Sequence, residues 1–279
     1  MRELQLTIPD PQGALRLGYV EWGDPEAPAV LCIHGLTRNA RDFDVLAKAL
    51  SADRRVIALD VAGRGRSGWL VDAARYAPEV YVGHTMAFLA ALGLQQVALV
   101  GTSMGGIIGM ALASLDPSPI KRLVLNDVGG LVPKEALAFI GTYLSGPPKV
   151  FADVSDLERH LRFIHQGFGP LSDAEWAHLA KHSARAQPGG VVQHYDPAIA
   201  VNFQTGITSD IELWPLYDAV TCPTLLLRGG DSPLLPAEVA DEMTRRGPKA
   251  ELVSFAGIGH APALMAEDQI AAVRRFLLT

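Results

Sequence analysis

Several features that mark whole classes of proteins are scarce or missing in this sequence of 279 residues. Only two cysteines occur, Cys32 and Cys222, and each lies in or beside an apolar run typical of a strand. We therefore expect buried free thiols, with a bridge between the two as the alternative. Basic residues are in deficit, since 24 Lys and Arg against 30 Asp and Glu give a net charge of −6. This balance argues against nucleic acid as a partner.

Long apolar runs are also missing. The most apolar window, residues 97–115, is interrupted by glycine, serine and threonine, which favours a strand, a turn and a helix over a membrane span. The first ten residues, MRELQLTIPD, contain no apolar segment of the kind found in secretory leaders. We therefore expect no membrane partner, and a reducing cytoplasm is the simplest compartment.

What the sequence does contain is an alternation of apolar, strand-like runs with helical patterns. Two alternating runs, at residues 3–8 and 14–22, predict a pair of antiparallel strands. Continuous apolar runs follow, among them APAVLCIHG, RRVIALD, QQVALVG and IKRLVLND, and helical spacing separates them. This pattern predicts an α/β fold with a mainly parallel sheet whose strands are buried on both faces.

The alternation stops at Gly129-Gly130 and returns with the run CPTLLLRGG. The segment 131–218 between them shows no buried-strand run, is rich in aromatic residues and holds five of the eight histidines. We interpret it as a mostly helical cap. The predicted core then consists of residues 1–130 and 219–279.

One serine, Ser103, lies in the small and apolar stretch LVGTSMGGIIG, after a predicted strand and before a predicted helix. A sharp turn between a strand and a helix is where the G-x-S-x-G pattern places a nucleophile. A turn without any chemistry is the alternative, because Gly/Ser/Thr clusters often mark turns. The context of strand, turn and helix favours the nucleophile.

A serine hydroxyl needs a base to take its proton, and the base needs a carboxylate to orient it. His260 follows the last predicted strand and is the candidate base, with helix capping or core packing as the alternative. Two aspartates follow strands, Asp231 in LLLRGGDSPLLP and Asp127 in VLNDVGG. We favour Asp231 because strand-Gly-Gly-Asp is the commoner position of the acid, and Asp127 would then stabilise the turn before the cap.

The predicted strand that ends in IHGLT supplies a third part of the candidate site. A backbone N–H just after His34-Gly35, together with that of the residue after the nucleophile, would form an oxyanion hole. We assign these donors to Leu36 and Met104. For His34 itself we expect a structural role, in which hydrogen bonds hold this loop.

Together these blocks resemble the α/β-hydrolase superfamily with a cap domain. HGLT, DVAGRGRSG, GTSMGG, LNDVGG, LRGGDSPLLP and GIGHAPAL occur in the family's order and span the core from about residue 14 to the C-terminus. The resemblance implies an eight-stranded, mainly parallel sheet flanked by helices, with the cap inserted after the sixth strand. It also implies Ser103 as nucleophile, His260 as base, Asp231 as acid, and Leu36 and Met104 as oxyanion donors. The block DVAGRGRSG carries Arg64 where the family usually has histidine, which we interpret as a change in a structural loop.

From this resemblance we expect a serine hydrolase that cleaves a carboxylic ester or lactone of a small molecule through an acyl-enzyme and needs no cofactor. A carbon–carbon bond hydrolase of aromatic degradation is the main alternative, although its usual HGxGPGA loop is replaced here by HGLTRNA. A non-catalytic ligand receptor on the same scaffold is the other. His178 and His182 lie four residues apart, but without the glutamate of H-E-x-x-H they are a weak zinc pattern, and we expect no metal.

Overall fold

The computed structural model describes residues 1–144, 146–203 and 208–279. The strands in these ranges are β1 (Arg2–Asp10), β2 (Gly13–Trp22), β3 (Ala29–Ile33), β4 (Arg55–Leu59), β5 (Val97–Thr102), β6 (Ile120–Asn126), β7 (Leu131–Val132), β8 (Ala184–Gln187), β9 (Gly190–Gln193), β10 (Ile211–Glu212), β11 (Thr224–Gly229) and β12 (Glu251–Phe255). The α-helices are α1 (Asp44–Leu50), α2 (Pro78–Ala91), α3 (Met104–Ala113), α4 (Lys134–Leu144), α5 (Val154–Ile164), α6 (Asp173–Ser183), α7 (Trp214–Asp218), α8 (Ala237–Met243) and α9 (Glu267–Leu278).

Eight of the strands form one sheet in the order β1-β2-β4-β3-β5-β6-β11-β12. The strand β2 pairs antiparallel with both β1 and β4, and the other neighbours in the sheet are parallel. The predicted α/β-hydrolase fold with a mainly parallel, eight-stranded sheet is therefore confirmed.

Both faces of this sheet are covered, which explains why its central strands are apolar throughout. Along β3, Val30 and Cys32 pack with α1 and α9, whereas Leu31 and Ile33 pack with the cluster that includes α2, α3 and α8. Successive side chains of a strand point to opposite faces, so a strand between two helical layers buries every residue. Cys32 is one of these buried residues, and both it and the half-buried Cys222 are free thiols, as predicted.

Helix α3 lies unusually close to the sheet because glycines face it. A Cβ atom at Gly105 would lie 2.0 Å from the carbonyl oxygen of Ile33, and one at Gly101 would lie 2.3 Å from that of Gly105. Any larger residue at these positions would push the helix away from β3 and β5. The glycines of the GTSMGG block therefore fix where the first turn of α3 begins.

Residues 131–218 lie between β6 and the segment before β11, and they contain α4 to α7. They also contain short strands, since β7 pairs with β10 and β8 pairs with β9, both antiparallel. The sequence did not indicate these strands because they have two to four residues and no apolar run. Residues 145 and 204–207 of this segment lie outside the described residues. The division into a core and a cap stays a prediction.

The loop that follows β4 joins the core to this segment through backbone atoms. The Gly65 N–H donates to the carbonyl of His194 over 3.0 Å, and the Asp196 N–H donates to the carbonyl of Gly63 over 2.7 Å. Between them, Arg64 and Tyr195 form an antiparallel bridge. The loop 61–68 is thus paired with residues 194–196 as two short strands would be.

Among the helices in the described ranges, none combines the length and the apolar character that crossing a bilayer would require.

Candidate active site

Ser103 occupies the sharp turn between β5 and α3. Its backbone has φ 52° and ψ −116°, which is a strained conformation for a residue with a side chain. The Ser103 N–H donates to the carbonyl of Asn126 over 2.9 Å, and the Ser103 carbonyl accepts from Gly106 and Ile107. These bonds hold the turn so that the hydroxyl stands at the C-terminal edge of the sheet, where open α/β sheets form their sites.

His260 connects the serine to a carboxylate. Its Nε2 lies 3.0 Å from the Ser103 Oγ, and its Nδ1 lies 2.7 Å from the Asp127 Oδ2. Because a carboxylate only accepts, Nδ1 carries the hydrogen in this arrangement and Nε2 is free to accept from the serine. This arrangement allows the hydroxyl proton of Ser103 to pass to the imidazole of His260.

The structure corrects the preference for Asp231 as the partner of His260. Asp231 has an exposed side chain, and its backbone N–H donates to the carbonyl of Ile258 over 2.8 Å. Asp127 lies beside His260 because β6 is the direct neighbour of β5, the strand that carries Ser103. The preference for Asp231 that came from the strand-Gly-Gly-Asp pattern is therefore wrong for the contact with His260.

The Asp127 carboxylate is fully buried and receives three hydrogen bonds. Besides His260, the Gly229 N–H donates to Oδ1 over 2.9 Å and the Ser232 hydroxyl donates to Oδ2 over 2.6 Å. The loop that contains Asp231 thus contributes to the site through its next residue, Ser232. No motif in the sequence indicates Ser232, and only its place in the loop after β11 points to it.

The loop after β3 lies next to the serine. A Cβ atom at Gly35 would lie 3.8 Å from the Ser103 Cβ, so Gly35 stands in van der Waals range of the turn. In the described part of the chain, neither the Leu36 N–H nor the Met104 N–H donates to a protein acceptor. The first N–H groups of a helix such as α3 have no partner within the helix. Both groups are therefore available to a ligand oxygen, and their assignment as an oxyanion hole stays a prediction.

His34 holds this loop by two hydrogen bonds. Its Nδ1 donates to the carbonyl of Gly35 over 2.7 Å, and its Nε2 accepts from the Val61 N–H over 3.0 Å. Burial, with a smaller contribution from the positive charges of Arg64 and Arg38, lowers the pKa of His34 to about 3, against the hydrogen bond to Gly35, which raises it. The imidazole is therefore neutral at pH 7, which suits the structural role predicted for it.

The segment 131–218 covers the histidine side of the site. The Gly259 N–H donates to the carbonyl of Gly167 over 2.8 Å, and a Cβ atom at Gly167 would lie 3.1 Å from the backbone nitrogen of His260. A cavity of about 30 Å³ lies between Gly35 and Thr102 on one side and Phe168 on the other. This volume holds about one water molecule, so the side of the site beneath Phe168 is closely packed.

His178 and His182 meet Asp44 where α6 contacts α1, and their possible ligand atoms lie within 4.8 Å of one another. However, the Arg41 guanidinium lies on the Asp44 carboxylate at 2.6 to 3.0 Å, and the His178 Nε2 lies 3.1 Å from the Arg41 carbonyl. The carboxylate charge is thus already neutralised by an arginine, which disfavours a cation. These residues connect α6 to the core and do not fit a metal centre.

Comparisons with known proteins identify the family. The sequence profile of a family described as alpha/beta hydrolase fold matches residues 28–265. A 3-hydroxybutyrate-oligomer hydrolase of Cupriavidus necator is 41% identical over 278 residues, which cover 95% of this chain and 94% of that protein. A 2-(acetamidomethylene)succinate hydrolase of Mesorhizobium japonicum is 27% identical, over 89% of this chain and 86% of that protein.

Solved structures give the same result. A structure described as a putative hydrolase from Rickettsia typhi superposes with a TM-score of 0.91 at 31% identity, covering 99% of this chain and 98% of that one. An alpha/beta hydrolase from Novosphingobium aromaticivorans superposes with a TM-score of 0.88 at 38% identity, again covering 99% and 98%.

Proposed function

The chain belongs to the α/β-hydrolase family and is a hydrolase, and from this premise we propose that it cleaves carboxylic esters through an acyl-enzyme on Ser103. The observation that carries the proposal is the position of His260, whose two ring nitrogens lie 3.0 Å from the Ser103 Oγ and 2.7 Å from the Asp127 Oδ2. A nucleophile, a base and an orienting acid in hydrogen-bond reach are what acyl transfer requires.

In the first half of the reaction, the Ser103 Oγ attacks the ester carbonyl while its proton moves to the His260 Nε2. The negative charge that develops on the carbonyl oxygen is stabilised by two backbone N–H groups. One belongs to Leu36, in the loop after β3, and the other to Met104, at the N-terminus of α3. The carbon–oxygen bond of the ester then breaks, and His260 gives its proton to the leaving alkoxide. Asp127 keeps the hydrogen of His260 on Nδ1 and stabilises the imidazolium.

In the second half, water takes the place of the alcohol. His260 accepts a proton from the water as the water attacks the acyl carbon, and it returns that proton to the Ser103 Oγ as the acid leaves. The products are one carboxylic acid and one alcohol, and the residues end in their starting protonation states. No step requires a metal ion or an organic cofactor.

For the substrate class we propose esters between short hydroxy acids. The support is the 41% identity, over 95% of this chain, to a relative described as a 3-hydroxybutyrate-oligomer hydrolase. Lactones of the same acids contain the same bond within a ring and remain candidates. The cavity beside Gly35 is lined by Phe168, Leu179 and Met265, which favours substrates with a small apolar part.

The test is turnover of p-nitrophenyl esters of two to twelve acyl carbons, of linear 3-hydroxybutanoate dimers and trimers, and of lactones. Wild type is compared with Ser103→Ala and with Ser114→Ala as a matched control. Ser114 lies at the other end of α3, where its hydroxyl donates to the carbonyl of Ala111 over 2.9 Å. We expect Ser103→Ala to lose the activity and Ser114→Ala to keep it.

Each of the other outcomes would favour a different function. Labelling of Ser103 by a fluorophosphonate without turnover of any ester would contradict ester hydrolysis and favour the carbon–carbon bond hydrolase, which uses the same three residues. Absence of both labelling and turnover would favour a ligand receptor. Cleavage of p-nitrophenyl esters without cleavage of the hydroxy-acid dimer would refute only the substrate class.

A further inference from the structure

Arg64 is a fully buried arginine that takes no part in the steps above. Arg64 is 0% exposed, and it lies in the loop after β4. In the part of the chain that the structure describes, no carboxylate lies within ion-pair distance of its guanidinium. Buried charges are normally paired, so this one needs an explanation.

Two contacts of the Arg64 side chain lead to the residues of the proposed oxyanion hole. Its Nε donates to the carbonyl of Leu36 over 2.8 Å, and its Nη2 lies 3.6 Å from the Met104 Sδ. Leu36 and Met104 are the two residues whose N–H groups we assign to the oxyanion hole. Because a guanidinium is planar and rigid, it fixes the distance between the two residues that it contacts.

The remaining contacts hold the guanidinium in place. Its Nη1 donates to the carbonyl of Ala62 over 2.7 Å and to the Tyr81 hydroxyl over 2.6 Å. The ring centroids of Tyr76 and Tyr81 lie 5.6 and 5.0 Å from its Cζ, which partly compensates the lost hydration of the charge. Arg64 is thus fixed by the core on one side and contacts the two oxyanion residues on the other.

We propose that Arg64 is a positioning residue for the oxyanion hole: it holds the Leu36 loop at a set distance from Met104, so that both N–H groups point at one oxygen atom. The proposal rests on the proposed function. Arg64 acts through Leu36 and Met104 and does not touch the substrate. Its positive charge, in a medium of low dielectric constant, also favours the negative charge of the tetrahedral intermediate over the neutral ester.

The test compares Arg64→Met and Arg64→Lys with Arg66→Met. Methionine removes the hydrogen bonds and the charge, and lysine keeps the charge without the planar fork. Arg66 is a matched control in the same loop, because its Nη2 donates to the carbonyl of Tyr19, away from the oxyanion residues. The measurements are kcat, KM, the melting temperature and the inhibition constant of an alkylboronic acid. The boron of this inhibitor bonds to the Ser103 Oγ and becomes a tetrahedral anion, so the inhibitor reports on the oxyanion hole.

We expect Arg64→Met to lower kcat by about tenfold to hundredfold, since a misplaced donor costs that much, while KM changes by less than about threefold. The boronic acid should bind more weakly by the same factor, and binding of the neutral alcohol product should not change. Arg64→Lys should lie between Arg64→Met and wild type. Arg66→Met should match wild type in kcat and in boronic acid binding.

Two results would overturn the proposal. One is a folded Arg64→Met protein with wild-type kcat and wild-type boronic acid binding. The other is a raised KM at unchanged kcat, which would make Arg64 a substrate-binding group. If Arg64→Met does not fold, Tyr81→Phe decides, because it removes one of the two hydrogen bonds of Nη1 and keeps the charge. We expect a smaller loss of the same kind from it, and unchanged kcat and inhibition would refute the role.

Ser103→Ala, measured alongside, separates the two proposals. If Ser103→Ala keeps wild-type turnover, the proposed function fails whatever Arg64 does. If Ser103→Ala is inactive and the Arg64 variants behave as wild type, only the inference about Arg64 fails.

Discussion

Replacing Asp127 with asparagine distinguishes the two candidate acids by an atom-level argument. The amide has one oxygen and one NH₂ group where the carboxylate has two oxygens. With NH₂ at the Oδ1 position, it faces the Gly229 N–H at 2.9 Å, donor against donor. With NH₂ at the Oδ2 position, it faces the Nδ1 of His260 at 2.7 Å. His260 must then carry its hydrogen on Nε2 and cannot accept the proton of Ser103.

Both orientations impair the base, and the second one removes it. In a serine protease with the same arrangement, the corresponding change lowers kcat by about 10⁴. That factor corresponds to about 5 kcal/mol of lost transition-state stabilisation. We therefore expect Asp127→Asn to lower kcat/KM for a p-nitrophenyl ester by about 10³ to 10⁴, with little change in the melting temperature.

Asp231→Asn is the matched control, because the substitution is the same and the side chain is exposed. We expect it to stay within about twofold of wild type, as surface substitutions usually do. The refuting result is a reversed order, in which Asp231→Asn loses more activity than Asp127→Asn. Such a result would mean that His260 takes its carboxylate from Asp231 during turnover.

Three further predictions concern the support of the site and the stability of the fold. Ser232→Ala removes the 2.6 Å bond to Asp127 and should cost about 1.5–3 kcal/mol of unfolding free energy, because the lost bond goes to a charged group; retention of wild-type stability in urea unfolding would contradict this. Gly105→Ala places a Cβ atom 2.0 Å from the Ile33 carbonyl and should lower the melting temperature strongly, whereas Gly83→Ala in α2, which meets nothing within 4 Å, should raise it slightly. Acid should destabilise the protein through His34. The imidazole of His34 binds a proton below pH 6.5 in the unfolded chain, but only near pH 3 in the folded chain. The free energy of unfolding should therefore be about 2 kcal/mol lower at pH 5 than at neutral pH. The slope of unfolding free energy between pH 6.5 and 5 should be shallower in His34→Gln, and an equal slope in both proteins would refute the assignment.

Asp60 works in the opposite direction to His34 over part of this range. Burial raises its pKa to about 6, against hydrogen bonds from the N–H groups of Ala40 and Arg66 that lower it. The folded chain therefore binds a proton between pH 6 and pH 3.8 that the unfolded chain does not, so this group favours the folded state as the pH falls. The contribution of His34 is therefore measured as the difference between wild type and His34→Gln in the slope of unfolding free energy against pH. The contribution of Asp60 cancels in this difference.

The sheet could be predicted from the sequence because burial on both faces leaves a simple pattern. The strands around Leu31, Leu99 and Leu125 are apolar runs, and those around Leu99 and Leu125 are followed by residues with positive φ, Ser103 and Asp127. The start of α3 followed from the glycines around Ser103, but its end did not. The helix ends at Ala113, two residues before the apolar pattern ends at Leu115, whose side chain is exposed. Apolar spacing locates a helix but does not fix its last residue.

The choice between Asp127 and Asp231 could not be made from local sequence. Both follow parallel strands at the same edge of the sheet, so composition and spacing treat them alike. What separates them is the order of strands, which places β6 between β5 and β11, and the course of one turn, which directs Ser232 inward and Asp231 outward. Strand order depends on contacts between residues far apart in the chain, and a pattern within ten residues carries no information about it.

The pairing of the loop 61–68 with residues 194–196 bears on how such proteins diversify. These contacts join backbone atoms, so substitution of side chains leaves them in place while the surrounding surface changes. An exchange of the segment 131–218 between relatives would succeed only where the incoming chain presents an extended stretch to Gly63 and Gly65. The same loop carries Arg64, so an ill-matched graft would also displace the residue that we propose to position the oxyanion donors. Recombination within this family is therefore constrained at a loop that lies outside the exchanged segment.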